Sequence, residues 1–304
     1  MKADAVFEGG GVKGIAFIGA LRVMEENGYR WERVAGTSAG SIVAALISAG
    51  YSSDEMLGIF RKLDTIRFLR QKGFRRVPLL GQLYGLLIHE GMYPGDAIEQ
   101  FVEELLHRKG IHTFGDLPGN KLRIVASDIT AGKMLILPDD LVDFDIDPVS
   151  FPIARAVRMS SSIPFFFQPA LVDREKQVHC IVDGSLLSNY PVWLFDVPEK
   201  PRWPTFGFRL HDMNPKTAPR VNGLFAFSRG LILTMLDAHD RFFVEKSQAV
   251  RTIFIQTRGV RTTQFKLTEE MREQLVQSGE EAARKFLKKW DFDAYIRQFR
   301  KRPR

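Results

Sequence analysis

The stretch that most constrains this chain is Gly36-Thr37-Ser38-Ala39-Gly40. It is a G-x-S-x-G sequence between an apolar segment that reads as a strand, residues 31–35, and one that reads as a helix, residues 41–48. A chain passing from strand to helix in so few residues must turn sharply. Gly36 and Gly40 remove the side chains that would obstruct such a turn. The Ser38 hydroxyl then projects above the edge of a sheet, beside the free amides and positive dipole end of the following helix. This arrangement belongs to layered α/β folds and makes Ser38 a candidate nucleophile.

A second glycine cluster stands nearer the N-terminus. Residues 3–8 read as a strand, Gly9-Gly10-Gly11-Val12-Lys13-Gly14 follows, and a helix is expected from Ile15 to about Asn27. Gly9-x-Gly11-x-x-Gly14 matches the dinucleotide-binding fingerprint. That fingerprint needs an acidic residue about 20 residues on, at the end of the next strand. Here the next strand ends in Gly36-Thr37-Ser38, so the ribose contact is missing. A phosphate loop would need Gly-Lys-Ser or Gly-Lys-Thr, which the cluster lacks. Consecutive glycines also turn unpaired N–H groups into one concavity, a nest that stabilises an oxyanion. Neighbouring parallel strands would set that nest beside Ser38. An ordinary glycine turn is the plain alternative.

A serine nucleophile needs a proton acceptor. His211, in Leu210-His211-Asp212 after an expected strand, is the best imidazole among the six histidines. Asp183, in Ile181-Val182-Asp183-Gly184-Ser185, is a carboxylate at the end of an apolar strand. An isolated aspartate, with a pKa near ~3.9, is a weak base and an ordinary turn residue; an apolar, water-poor site would raise its basicity. Spacing leaves both candidates open.

The rest of the chain alternates strands with helices. Strands are expected at residues 121–128, 133–137, 170–172, 178–182, 203–210 and 252–256. Helices are expected from about Ser53, and at 96–107, 153–159, 224–248 and 268–290. This pattern predicts an α/β sheet, largely parallel, with helices on both faces. The simplest partition has a catalytic core over 1–205, with residues 206–304 completing the same domain and ending in a basic tail.

Charge is unevenly placed. The formal net charge is +7, and residues 284–304 alone hold nine Lys or Arg against two Asp. Residues 61–76 hold seven Lys or Arg against one Asp. Such patches suit an anionic partner. In the tail, Phe292, Tyr295, Ile296 and Phe299 recur at helical spacing, which fits either a membrane-surface helix or a helix packed on the domain. Residues 66–88 mix cations with apolar side chains, as an interfacial anchor would. Cys180 is the only cysteine, so an intramolecular disulfide is excluded and a reducing compartment is expected. With no long uncharged apolar run and no signal-peptide pattern, the expectation is a cytoplasmic protein.

Taken in order, Gly9-Gly10-Gly11-Val12-Lys13-Gly14, Gly36-Thr37-Ser38-Ala39-Gly40 and Asp183-Gly184 resemble the three motifs of the patatin-like phospholipases. The segment Ala156-Val157-Arg158-Met159-Ser160-Ser161-Ser162-Ile163-Pro164 resembles the stretch that family places between elbow and aspartate. The resemblance covers about residues 3–195. It implies a three-layer patatin-like sheet with the elbow after an early strand, and a Ser38–Asp183 dyad without histidine. It further implies an oxyanion loop over Gly9, Gly10, Gly11 and Val12, and neither metal nor organic cofactor. The implied reaction is hydrolysis of fatty-acyl esters of phospholipids or lysophospholipids through an acyl-serine intermediate. The partners that follow are an acyl-lipid substrate and an anionic membrane surface, peripherally bound on its inner face, with no nucleic acid. Head group, acyl position and oligomeric state stay open. Phe165, Phe166 and Phe167 are candidates for the mouth of an acyl pocket, or for the core. Ser185 stands where the family usually has glycine or alanine, and its hydroxyl is placed to donate to Asp183 and lower its basicity. The competing readings are a Ser38–Asp183–His211 esterase, a non-catalytic lipid- or nucleotide-binding signalling protein, and a nucleotide-binding oxidoreductase.

Overall fold

The structure is a computed structural model that describes residues 1–69, 91–175, 177–211, 230 and 245–300. An eight-stranded sheet forms its centre. The strands are β1 (Lys2–Phe7), β2 (Arg30–Thr37), β4 (Leu122–Asp128), β5 (Lys133–Leu137), β7 (Ala170–Arg174), β8 (Gln177–Asp183), β9 (Thr205–His211) and β10 (Thr252–Gln256). Their order is β10-β9-β1-β2-β4-β8-β7, with β5 also paired to β4. β10, β9, β1, β2 and β4 are mutually parallel. β5, β8 and β7 are joined by antiparallel pairings. A separate two-stranded sheet pairs β3 (Gly91–Tyr93) with β6 (Phe165–Phe167).

Period-two alternation explains how the sheet is buried. Ala3, Ala5 and Phe7 of β1 and Phe206, Phe208 and Leu210 of β9 point into the main core. Sharing that core are α1 (Ile15–Glu26), α2 (Ala39–Ser48), α3 (Ser53–Lys62), α4 (Asp96–His107), α5 (Ile153–Ser160) and, after the short α6 (Lys246–Ala249), α7 (Glu269–Leu287). The opposite side chains, Val6 and Ala35, meet Val192 and Phe195 of a 3-10 turn. Asp4, buried on β1, is held there by Arg33 Nη2 at 2.6 Å.

Helix ends follow local chemistry. α3 is capped one residue earlier than its expected start. Ser52 Oγ accepts from the Glu55 amide and the Glu55 carboxylate accepts from the Ser52 amide, a reciprocal box that satisfies two otherwise orphaned donors. The helix expected at 224–248 lies outside the described residues except for Gly230 and residues 245–248, as do residues 70–76 of the first basic stretch and most of 66–88.

The tail turns its apolar face inward. α8 (Phe292–Phe299) starts at Asp291, whose carboxylate accepts from the Ala294 amide at 2.8 Å. Tyr295 is buried, and Phe286 and Trp290 set their rings against Phe206 near the start of β9. Arg300 reaches Asp196 at 2.9 Å. Of the two arrangements open from the sequence, the tail aromatics take the packed one. They sit toward the N-terminal ends of the parallel strands.

Candidate active site

Two strands meet end to end along one edge of β4. Thr37, the last residue of β2, pairs with Val125; Asp183, the last residue of β8, pairs with Ala126. β5 overlaps both stretches of β4 and so takes its other edge. β2 is parallel to β4 and β8 antiparallel, so their C-terminal ends face each other. Ser38, one residue beyond β2, therefore arrives at Asp183 across 145 residues of sequence. Its Oγ donates to Asp183 Oδ2 at 2.5 Å.

The elbow is strained and well held. Ser38 has φ +53° and ψ −123°, outside the regions a side chain prefers, at a cost of about 1–3 kcal/mol. A Cβ on Gly36 would lie 2.2 Å from the Gly40 carbonyl oxygen, and one on Gly40 2.5 Å from that of Phe7, so both glycines are required. The Ser38 amide donates to Ser160 Oγ at 2.9 Å, and Ser160 Oγ donates in turn to the Val125 carbonyl at 2.6 Å. The Ser38 carbonyl accepts from the Ser41 hydroxyl at 2.6 Å.

Both side chains are buried. Burial pushes the Asp183 carboxyl up to about 6, against the pull of hydrogen bonds from Ser38 and Ser185. The Ser185 amide donates to Asp183 Oδ1 at 2.8 Å, leaving Oδ2 for Ser38. The Asp183 amide donates to the Ser162 carbonyl at 2.9 Å. A carboxylate near neutral basicity, bonded to a serine hydroxyl in a dry setting, is able to take that hydroxyl's proton.

The glycine loop lies beside this pair. A Cβ on Gly9 would be 3.3 Å from Ser38 Cβ. The loop is anchored from β1 by Glu8, fully buried, whose carboxylate accepts from the Leu210 amide at 2.6 Å and Arg209 Nε at 3.2 Å. Of the four loop residues named from the sequence, two have committed amides. Gly9 N–H donates to the Asn189 carbonyl at 3.0 Å and Val12 N–H to the Thr262 carbonyl at 3.2 Å. Among the described residues the Gly10 and Gly11 amides meet no acceptor, so only these two of the four are uncommitted.

Ser38 and Gly11 line a cavity with about 660 Å³ of empty space, part of it open to solvent. Its walls include Ile42, Val43, Phe60, Phe101, Phe167 and Phe265. Phe167 lines it and is buried, so the two readings of that residue coincide; Phe166, half-buried, stacks on Phe265 at 5.1 Å. His211 is exposed at the end of β9, two strands from β2, and no hydrogen bond joins it to Ser38 or Asp183. Among the described residues no cluster of His, Cys, Asp or Glu is placed to hold a metal ion.

Asn189 and Thr262 escaped the sequence reading, and Ser160 entered it only as part of the segment 156–164, with no role assigned. Three consecutive serines at the end of a strongly amphipathic helix were the available signal for Ser160. Asn189 and Thr262 take part through their backbone carbonyls, which carry no residue signature.

The chain is similar to several known proteins. A family model described as patatin-like phospholipase matches residues 5–196. "Uncharacterized protein YqhO" of Bacillus subtilis is 41% identical over 294 residues, covering 96% of this chain and all of that protein. "Probable lipid hydrolase 463L" of Invertebrate iridescent virus 6 is 23% identical over 195 residues, covering 62% of this chain and 61% of that one. Among solved structures, VipD from Legionella pneumophila superposes with a TM-score of 0.58 at 18% identity, covering 97% of this chain and 67% of VipD.

Proposed function

The chain belongs to the patatin-like phospholipase family, and from that premise we propose that it hydrolyses fatty-acyl esters of phospholipids or lysophospholipids with Ser38 as nucleophile and Asp183 as base. The observation that carries the proposal is the buried 2.5 Å bond from Ser38 Oγ to Asp183 Oδ2.

Ser38 Oγ attacks the ester carbonyl and passes its proton to Asp183 Oδ2. The negative charge gathering on the carbonyl oxygen accepts from the Gly10 and Gly11 amides, which are oriented before the reaction begins. Collapse of the intermediate breaks the bond to the alcohol, which leaves with the proton from Asp183. The acyl group stays on Ser38 with its chain in the apolar cavity. Asp183 then takes a proton from water, and the resulting hydroxide equivalent releases the fatty acid and restores the hydroxyl.

Because the substrate lies in a lipid surface, the rim bearing Ser38 is the part that must meet the membrane. We place the protein peripherally on an anionic membrane face. Among the described residues no helix is long and apolar enough to cross one.

The test is hydrolysis of a labelled phospholipid and lysophospholipid panel by wild type, Ser38→Ala and Asp183→Asn. Each variant is expected to lose roughly 10³-fold or more in rate, within the range general-base removal costs. Wild-type rates in either variant would refute the dyad. A His211→Ala variant should keep full activity, and its inactivation would restore the triad reading.

A further inference from the structure

Ser160, Ser161 and Ser162 are consecutive, and two of them are committed to the dyad. Ser160 Oγ accepts the amide of Ser38, and the Ser162 carbonyl accepts the amide of Asp183. Ser162 Oγ is also occupied, donating to the Arg158 carbonyl at 2.8 Å. Ser161, between them, is different. It is 5% exposed, lines the same cavity as Ser38, and among the described residues its hydroxyl has no hydrogen-bond partner.

An orphaned buried hydroxyl is costly, about 1–3 kcal/mol, and native chains rarely keep one without use. Local conformation does not account for it. The Ser161 amide is satisfied by the Val157 carbonyl at 2.9 Å as the cap of α5, so the residue is fixed in place and an alanine would serve the backbone equally well. A trapped water is a poor partner, because it needs two to four polar neighbours. The cavity walls are chiefly apolar, and the Thr65 hydroxyl there is already spent on the Phe265 carbonyl.

We propose that Ser161 is a substrate-contacting residue, whose hydroxyl hydrogen-bonds an oxygen at the ester end of the acyl lipid once that lipid fills the cavity. The proposal rests on the hydrolase reading above. Flanked in sequence by residues that grip the dyad and lining the same cavity as Ser38, Ser161 would meet the ester end of a bound acyl chain. The oxygen it meets belongs either to the scissile ester or to the neighbouring glycerol carbon. In both cases the free protein holds a polar group in reserve that only an oxygen-bearing ligand satisfies. A purely hydrocarbon occupant would leave it unpaired.

The experiment compares wild type, Ser161→Ala and Ser38→Ala on two substrates of equal chain length, p-nitrophenyl laurate and 1-lauroylglycerol, with Tm measured for each protein. Removing an unpaired hydroxyl should leave Tm unchanged or raised, while kcat/KM falls about tenfold, the worth of one hydrogen bond. A fall on both substrates assigns the contact to the scissile ester, and a fall on 1-lauroylglycerol alone assigns it to the glycerol oxygen. Unchanged kcat/KM on both, with Ser38→Ala inactive, overturns the role of Ser161 and leaves the dyad standing. A loss of activity matched by a lower Tm also overturns it, by making Ser161 a packing residue. Full activity in Ser38→Ala would instead bring down the underlying hydrolase reading.

Discussion

The serine elbow and the basic tail are both conspicuous in the sequence, and they part company in what their side chains touch. At the elbow, polar groups are turned inward. Ser38, Asp183 and Ser160 are almost fully buried, and their hydrogen bonds run to one another and to the backbone of β4. At the tail, the aromatic groups are turned inward and the cations outward. Tyr295 is buried, whereas Lys285, Lys288 and Lys289 are exposed and, among the described residues, without an ion-pair partner. The two regions also lie apart. Phe206, on which the tail rings rest, pairs with Ala5, and Ala5 pairs with Val34. Ser38 stands four residues further along, about 13 Å at strand spacing. A buried polar cluster has lost its hydration and must be compensated locally, which marks it as chemistry. Exposed cations beside a packed aromatic seam need no such explanation.

The sharpest way to break this contrast is pH. Between pH 3.8 and about 6 the folded chain keeps a proton on Asp183 that the unfolded chain has released. Stability therefore falls as pH rises through that window, and the whole penalty is present above it. A shift of about two units is worth about 3 kcal/mol. Asp183→Asn removes the ionisable group, so at pH 8 the variant should be more stable than wild type by up to about 3 kcal/mol. Below pH 3.8 the two should be nearly equal. Urea unfolding at both pH values measures the difference. In wild type, kcat/KM should fall about tenfold per pH unit below about 6, as the base becomes protonated. An acid limb near pH 4, or an Asn variant that is less stable at pH 8, would mean that the carboxylate is solvated and the elbow is no drier than the tail.

How much of this was legible beforehand differs between the two regions for a physical reason. The elbow could be read because backbone constraints write themselves into residue type. A turn in which Gly36 Cα approaches the Gly40 carbonyl allows no other residue, and Ser38 is fixed by what surrounds it. Strands 133–137 and 252–256 were readable from apolar alternation and short length and match β5 and β10. What could not be read is the meeting of β2 and β8 on one edge of β4, which brings Asp183 against Ser38. Register across 145 residues is a property of the assembled sheet, not of any window of sequence. The commitment of the Val12 amide to Thr262 was hidden in the same way, because a backbone carbonyl carries no residue signature. At the tail, amphipathic spacing gave the helix, but the spacing is identical whether the apolar face meets a membrane or Phe206.

The tail's packing is open to a direct stability test. Trp290 is half-buried, with its ring 5.1 Å from Phe206 and 5.4 Å from Phe286. Trp290→Ala should cost about 2–3 kcal/mol, below the range for fully buried aromatics because part of the ring is exposed. Since nothing in the seam reaches the dyad, kcat on a soluble monomeric ester should stay within about twofold of wild type at temperatures where the variant is folded. Denaturant midpoints and initial rates on the same preparation separate the two effects. An unchanged midpoint would mean that the tail is not seated on β9.

The smallest expected effect concerns the tail's charge. Lys285 lies in the last turn of α7 and Lys288 and Lys289 just beyond its end, and each cation close to an anionic bilayer is worth about 1 kcal/mol of attraction. If they held the enzyme on its substrate surface, changing all three to Gln would reduce hydrolysis of anionic vesicles steeply, and most at low ionic strength. Position argues otherwise. Leu63, Thr65 and Phe68 line the cavity that Ser38 also lines, and the tail rings next to the lysines rest on Phe206 near the start of β9. Phe206, on which the tail rings rest, lies about 13 Å along the strands from Ser38, more than a Debye length, about 8 Å at physiological salt. The triple variant should therefore hydrolyse vesicles of 30% anionic lipid, on the order of the charge that produces a typical leaflet potential, within about twofold of wild type. Co-sedimentation with the same vesicles provides the second readout. A rate that collapses with binding, and recovers on a soluble ester, would show the tail and the rim contacting one surface. The separation drawn between the two regions would then be wrong.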